Sequence, residues 1–97
     1  MPISPSTIVA AAGGAVACEL GDEVAILNLE SGTYYGLDAV GARIWKLLAS
    51  PIAVSEIRDS LLQAYEVDAV RCEADVVALV EKLLDEGLVE LRAGGDA

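Results

Sequence analysis

The side chains of this 97-residue chain best suited to chemistry are two thiols, Cys18 and Cys72, and 16 carboxylates; there is no histidine. Metal ligation would have to rest on those carboxylates and two widely separated thiols, and no cluster at ligand spacing exists. Nucleophilic catalysis needs a Ser or Cys beside a base, and the usual base is missing. Gly13-Gly14 lacks the lysine and the following helix of a phosphate-binding loop. So many acids on so short a chain read as a solvated surface rather than a catalytic pair. The thiols are expected to be free and to behave as small apolar side chains, a Cys18–Cys72 disulfide being the alternative. The expectation is a protein that is not an enzyme and carries neither metal nor organic cofactor.

What remains is binding, and charge narrows the partners. Six basic residues against 16 acidic ones give a formal net charge of −10. Affinity for phosphate comes mainly from Lys and Arg, so nucleic acid and anionic membranes are excluded and a neutral or basic partner is favoured. Apolar residues make up 55% of the chain, which excludes a disordered chain. No apolar run reaches the roughly 18 residues of a membrane span. The start has an Ala-rich middle but no positive segment before it, so a signal peptide is not expected and the cytoplasm is the expected compartment.

The elements that must form a binding surface can be read from period and punctuation. "STIVAAA" and "AVACEL" are short β-prone runs closed by Gly13-Gly14 and by "GDE" at 21–23. "EVAILNLE" is a strand, Glu30-Ser31-Gly32 a tight connection, and "TYYGL" the returning partner of a hairpin. The spacing predicts one small antiparallel sheet of three or four strands ending near Leu37. "TYYGL" holds two of the four aromatic residues in adjacent positions, Tyr34 and Tyr35. Neighbours on a strand point to opposite faces, so the two cannot share one core. Which one faces inward depends on a register that a one-residue slip would reverse.

From Asp38 the period changes to 3.6. Asp38 is expected to cap a helix to about Ala49, with Val40, Ile44, Leu47 and Leu48 on one face. Pro51 stops it at Ser50. Ser55 is expected to cap a second helix, with Ile57, Leu61 and Ala64 on one face. Asp68 is expected to cap a third, running to about Glu86 with Gly87 as a left-handed terminus. "LVELR" forms a short edge strand and 92–97 a frayed tail, within one domain spanning 1–97 with its core at about 7–91. The third helix carries an apolar arc of roughly 160°, wider than the roughly 100° one core requires. Either the helix is sandwiched, or one flank lines an exposed groove. Strands with three helices suggest a winged helix. As a DNA-reading element the third helix fails, since it offers only Arg71 and Lys82 against five acids.

"LNLESGTYYGLDAVGARIWKLL" resembles the core motif of the PqqD-like family, and "CEADVVALVEKLLDEGLVE" resembles that family's second motif; together they fall within residues 23 to 91. The resemblance implies the RiPP recognition element: an α+β winged helix-turn-helix of three strands and three helices. Such domains bind the leader segment of a ribosomally made precursor peptide and deliver the precursor to processing enzymes. "SGTYYGLDAVGARIW" is most similar to the discrete members of lasso-peptide clusters, whose partners are a leader peptidase and a cyclase. Other members serve radical SAM enzymes, as in pyrroloquinoline quinone maturation. A winged-helix module making only a protein–protein or homodimer contact is the rival reading.

In that family the leader adds as a strand beside the third strand and packs on the last helix. Carried onto this chain, the resemblance implies an edge of Thr33, Tyr34, Tyr35, Gly36 and Leu37. It implies a helix wall drawn from Cys72, Asp75, Val76, Leu79, Val80 and Leu83. Ile44 and Trp45 are expected to be core.

Overall fold

The computed structural model describes residues 3–92, so the expected tail lies, from residue 93 on, outside the described residues. The architecture is α+β, with three helices and two small antiparallel sheets of three strands each. In chain order the elements are β1 (Ile8–Ala11), β2 (Ala15–Leu20), β3 (Glu23–Asn28), β4 (Tyr34–Leu37), α1 (Ala39–Leu47), β5 (Ile52–Ala53), α2 (Val54–Ala64), α3 (Ala69–Asp85) and β6 (Val89–Arg92). The single sheet expected from the sequence is therefore corrected to two. One has the order β2-β3-β4; the other, β5-β1-β6, takes β1 away from its chain neighbours. Nothing local marks that pairing: β1 meets a two-residue strand after α1 and a strand that follows α3.

The helix ends follow local chemistry at α1 and α3. Asp38 Oδ1 accepts from Gly41 N at 2.9 Å, and Asp68 Oδ2 accepts from Arg71 N at 2.9 Å. Each neutralises one free donor of a first turn. Helix α3 ends as a Schellman turn: Leu88 N donates to Leu83 O, Gly87 N donates to Leu84 O, and Gly87 sits at φ 73. At α2 the expected Ser55 cap is corrected. The N-cap is Ala53, two residues earlier, and it has no side-chain acceptor to offer. Its work is done by tertiary structure: Val54 N donates to Thr7 O and Ser55 N to Pro5 O, while the Glu56 carboxylate accepts from Ala53 N. Glu56, three residues on, is the local part of this cap; the part supplied by a distant segment leaves no local sequence signal.

The core lies between the β2-β3-β4 sheet, the β1 strand and all three helices. Val9, Ile26, Leu48, Ile57, Val80 and Leu88 are among its fully enclosed side chains. Ile44 is buried and Trp45 half-buried against the same cluster. Arg58 on α2 ion-pairs with Glu73 on α3, joining the two helices at the surface. Asn28, the one buried polar residue among the described residues, joins the sheet to α3. Its Nδ2 donates to Glu86 O at 2.9 Å, while its Oδ1 accepts from Glu30 N and Ser31 N in the hairpin loop. With β3 ending at Asn28 and β4 starting at Tyr34, the connection is 29–33, longer than the expected Glu30–Gly32. Gly32 takes φ 74 within it, the left-handed conformation that favours glycine.

Candidate peptide-binding groove

Strand β4 pairs with β3 on one side and, among the described residues, with nothing on the other. Its register is set by Val24 opposite Leu37, Ile26 opposite Tyr35 and Leu27 opposite Tyr34. Asn28 N donates to Thr33 O at 2.8 Å just beyond the strand. Backbone groups of an antiparallel pair alternate in direction. Thr33, Tyr35 and Leu37 therefore turn their amides and carbonyls to β3, while Tyr34 and Gly36 turn theirs to the open side. The same alternation resolves the two tyrosines. Tyr35 faces inward and packs half-buried against the core; Tyr34 faces outward and is 70% exposed.

The open side of β4 borders a groove of about 440 Å³. Tyr35, Gly36 and Leu37 form its sheet wall, Val40, Gly41 and Ile44 of α1 its floor, and Asp75 and Leu79 of α3 its far wall. A Cβ built on Gly36 would meet no atom within 4 Å, so the outer face of the strand is uncrowded at this position. Gly41 serves the opposite need. A Cβ there would stand 3.1 Å from Leu37 Cβ, so the missing side chain lets α1 seat closely under β4. A second, mostly apolar hollow of about 230 Å³ adjoins the groove and shares Val40, Ile44 and Asp75 with it. Leu61, Tyr65, Val67, Arg71, Cys72 and Val76 complete it.

Of the residues singled out in the sequence, Tyr35, Gly36, Leu37, Asp75 and Leu79 meet in the groove, and Cys72 and Val76 line the adjoining hollow. Val80 and Leu83 line neither; both are 0% exposed and belong to the core beneath. The Thr33 and Tyr34 side chains also lie outside the groove lining. The overwide arc of α3 is thus a buried centre with half-buried flanks, and the Leu79 flank opens on the groove. Sequence reasoning missed Val40 as a lining residue, reading it only as part of the apolar periodicity of α1; it is 41% exposed. Its i, i+4 relation to Ile44 fits either role. Tyr65 and Val67, in the link between α2 and α3, carried no periodic signal at all.

Electrostatically the groove is bordered by acids. Asp38 lies at one end, and Asp75 has, among the described residues, only the exposed Arg71 at 4.0 Å, an i, i+4 pair of little strength. Burial, with Asp75 adding repulsion, pushes the Cys72 thiol above its ordinary value. It therefore remains a protonated, apolar lining group. Cys18 is exposed, and both cysteines are free thiols. Among the described residues no group of His, Cys, Asp and Glu could hold a metal ion, and no helix is long and apolar enough to cross a membrane.

Comparison with solved structures locates this geometry among known proteins. TbiB1, in complex with the TbiA(beta) leader peptide, is 37% identical to this chain, with a TM-score of 0.78 over 90% of this chain and 99% of that one. A lasso peptide synthetase B1 complexed with its leader peptide shares the fold, with a TM-score of 0.75 at 23% identity over 84% of this chain and 96% of that one. No curated protein matches significantly. The family described as Coenzyme PQQ synthesis protein D (PqqD) matches residues 23–89, and this chain belongs to that family.

Proposed function

We propose that this chain is a non-catalytic, cytoplasmic recognition element that binds the leader segment of a precursor peptide and delivers it to the leader peptidase and cyclase of a lasso-peptide pathway. The observation that carries the reading is the β4 edge, unpaired among the described residues, opening on a groove walled by α3 and lined by apolar side chains with Asp38 and Asp75. Its support from outside the chain is the likeness to TbiB1, whose structure holds a leader peptide. In this reading the three helices and the β2–β3–β4 sheet act as a winged helix-turn-helix in which the sheet, not a recognition helix, takes the ligand.

The leader lies as a further strand beside β4, bonded to Tyr34 and Gly36, with alternate side chains entering the groove against Tyr35, Leu37, Val40 and Leu79. Each ladder bond contributes only about 1 kcal/mol net, and each fully buried apolar anchor about 1.5–3 kcal/mol. Two or three anchors therefore choose the leader, and the ladder fixes its register. The adjoining hollow, with Cys72 and Val76 in its wall, takes an anchor beyond the strand. Val80 and Leu83 act only by holding α3 in place. A Lys or Arg in the leader gains attraction from Asp38 and Asp75, screened by salt.

The test is titration with synthetic N-terminal segments of the small reading frames encoded beside this chain, followed by amide hydrogen exchange. One segment should saturate and slow exchange at Tyr34 and Gly36, with the amides of α2 unchanged. Saturable binding without protection of those two amides would sink strand addition at this edge, and no binding by any segment would sink the function.

A further inference from the structure

The Tyr34 side chain has no use in the groove, yet it walls a further hollow on the opposite side of β4. Alternation sends Tyr35 and Leu37 inward and leaves Tyr34 and Gly36 on the outer face. Over Gly36 lies a hollow of about 250 Å³ whose lining includes Leu20, Glu23, Ala25, Tyr34, Gly36 and Asp38. The groove and this hollow share Gly36, Leu37 and Asp38, so they flank the same stretch of edge from its two faces. Gly36 and Ala25, opposite each other in the β3–β4 pair, make a floor of small residues. Tyr34 rises on one side of that floor, and Leu20, Glu23 and Asp38 stand on the other.

A strand bonded to Tyr34 and Gly36 continues the alternation of the sheet. Its side chains level with Tyr35 and Leu37 enter the groove, and the one level with Gly36 stands on the outer face. There it meets a strand position with no side chain of its own, the place where a large cross-strand neighbour folds over the glycine. The hollow selects the chemistry of that neighbour. The β3–β4 register, carried one step past Val24 and Leu37, brings Glu23 level with Asp38, and like charges opposed across a sheet repel. Among the described residues neither carboxylate has an ion pair, and Asp38 spends only Oδ1 on the α1 cap. A Lys or Arg lays its stem along apolar surface and keeps its charge at a polar rim, and a cation beside the Tyr34 ring gains a further attraction. An aromatic or aliphatic side chain would instead cover the two carboxylates without pairing them.

We propose that this hollow is a specificity subsite for one lysine or arginine of the leader, level with Gly36, its stem between Tyr34 and Leu20 and its charge between Glu23 and Asp38. The subsite rests on the leader-binding reading above. The leader is then read on both faces of a single strand, apolar anchors inward and one cation outward. Strand alternation fixes the cation at an odd number of residues from each groove anchor.

The probe is the synthetic N-terminal segment, from the reading frames encoded beside this chain, that saturates wild type. It is remade with each Lys and Arg in turn replaced by norleucine, which keeps an apolar stem and drops the charge. Another series replaces each apolar residue by alanine to locate the groove anchors. One norleucine replacement should cost about fivefold in affinity at low salt, as two partly covered ion pairs would, at an odd spacing from those anchors. The protein variant is Glu23→Gln/Asp38→Asn, in which asparagine keeps the α1 cap; circular dichroism checks its fold, and Glu23→Gln alone serves if the pair is unfolded. The variant should lose about fivefold with the original segment and less than about twofold with that norleucine segment. Glu30→Gln/Asp85→Asn removes as much charge from outside the hollow and should bind the original segment within about twofold of wild type. Equal affinity for site variant and wild type, an equal loss in the control variant, or a loss that persists with the norleucine segment overturns the subsite and leaves leader binding standing. So does a segment in which no Lys or Arg matters, or one whose critical cation lies at an even spacing from the anchors. Failure of every segment to bind wild type overturns the leader-binding function and the subsite with it.

Discussion

Gly36→Pro separates strand addition from every other way of using the groove. The Gly36 amide points to the open side of β4, so the β3–β4 ladder does not need it. Proline is tolerated in an edge strand when its missing donor would have faced solvent. The fold should survive, with a melting temperature within a few degrees of wild type. An incoming strand, however, loses one ladder bond, worth about 1 kcal/mol, and is left with a carbonyl sealed against the groove without a donor, at a further cost of about 1–3 kcal/mol. The sum of about 2–4 kcal/mol is a loss of roughly 30- to 1000-fold in affinity, at 1.4 kcal/mol per decade. Fluorescence polarisation with a labelled leader segment measures it directly. Tyr35→Pro is the internal control, since that amide serves the β3 ladder and its loss should unfold the hairpin. A folded Gly36→Pro protein binding within about threefold of wild type would refute leader pairing at this edge.

Leu79→Asp puts a charge on the far wall of the groove, on the half-buried flank of α3; leader affinity should fall by about tenfold or more, with the helical circular dichroism spectrum unchanged. Asn28→Ala removes the bond to Glu86 O and both loop bonds, and should destabilise by about 1–3 kcal/mol, lowering the melting temperature by roughly 5–15 °C. The raised Cys72 thiol makes the folded chain hold a proton that the unfolded chain releases above the ordinary thiol value of about 8.5. Stability should therefore decline as pH rises through that value toward the folded one. Denaturant melts of wild type and Cys72→Ala across this range should differ in slope, and Cys18 should be alkylated well before Cys72.

What could be read in advance was what short-range chemistry decides. Asp38, Asp68 and Gly87 act within one helical turn of themselves, and all three end helices as their residue types require. The Ala53 start of α2 escaped because its donors are satisfied by Thr7 and Pro5, remote in sequence. The second sheet escaped for the same reason, since a two-residue strand such as β5 has no alternation to detect. Tyr34 and Tyr35 were recognised as pointing apart, but their assignment awaited the register that Asn28 N and Thr33 O define. Asn28 itself carries a local signal: it is the only amide side chain of β3, following the apolar run Val24–Leu27 and placed just before a turn. On α3, periodicity found the apolar positions but could not separate Leu79, on the groove, from Val80 and Leu83 beneath it. Adjacent residues on a broad apolar arc look alike until a neighbouring strand is in place.

The pairing of β1 with β6 has a consequence for the order in which the molecule is made. Ile8 waits for Arg92 and Ala11 for Val89, so the β5-β1-β6 sheet cannot close until β6 has left the ribosome. The β2-β3-β4 meander, by contrast, contains only near-neighbour contacts and can form early, since short loops close fast and cost little entropy. For that interval its strands exist without α3 beside them, apolar on both faces and open at both edges. This is the arrangement most prone to pairing with another nascent chain. A stretch from Met1 to Ala42 with five acids and no base gives each such intermediate the same sign, and like charge keeps neighbours on a polysome apart. Acidity that looks like a binding feature in the finished domain is then also protection during its synthesis. Replacing Glu19, Asp22 and Glu30 with neutral isosteres should lower soluble yield more than it lowers the melting temperature of whatever protein is recovered.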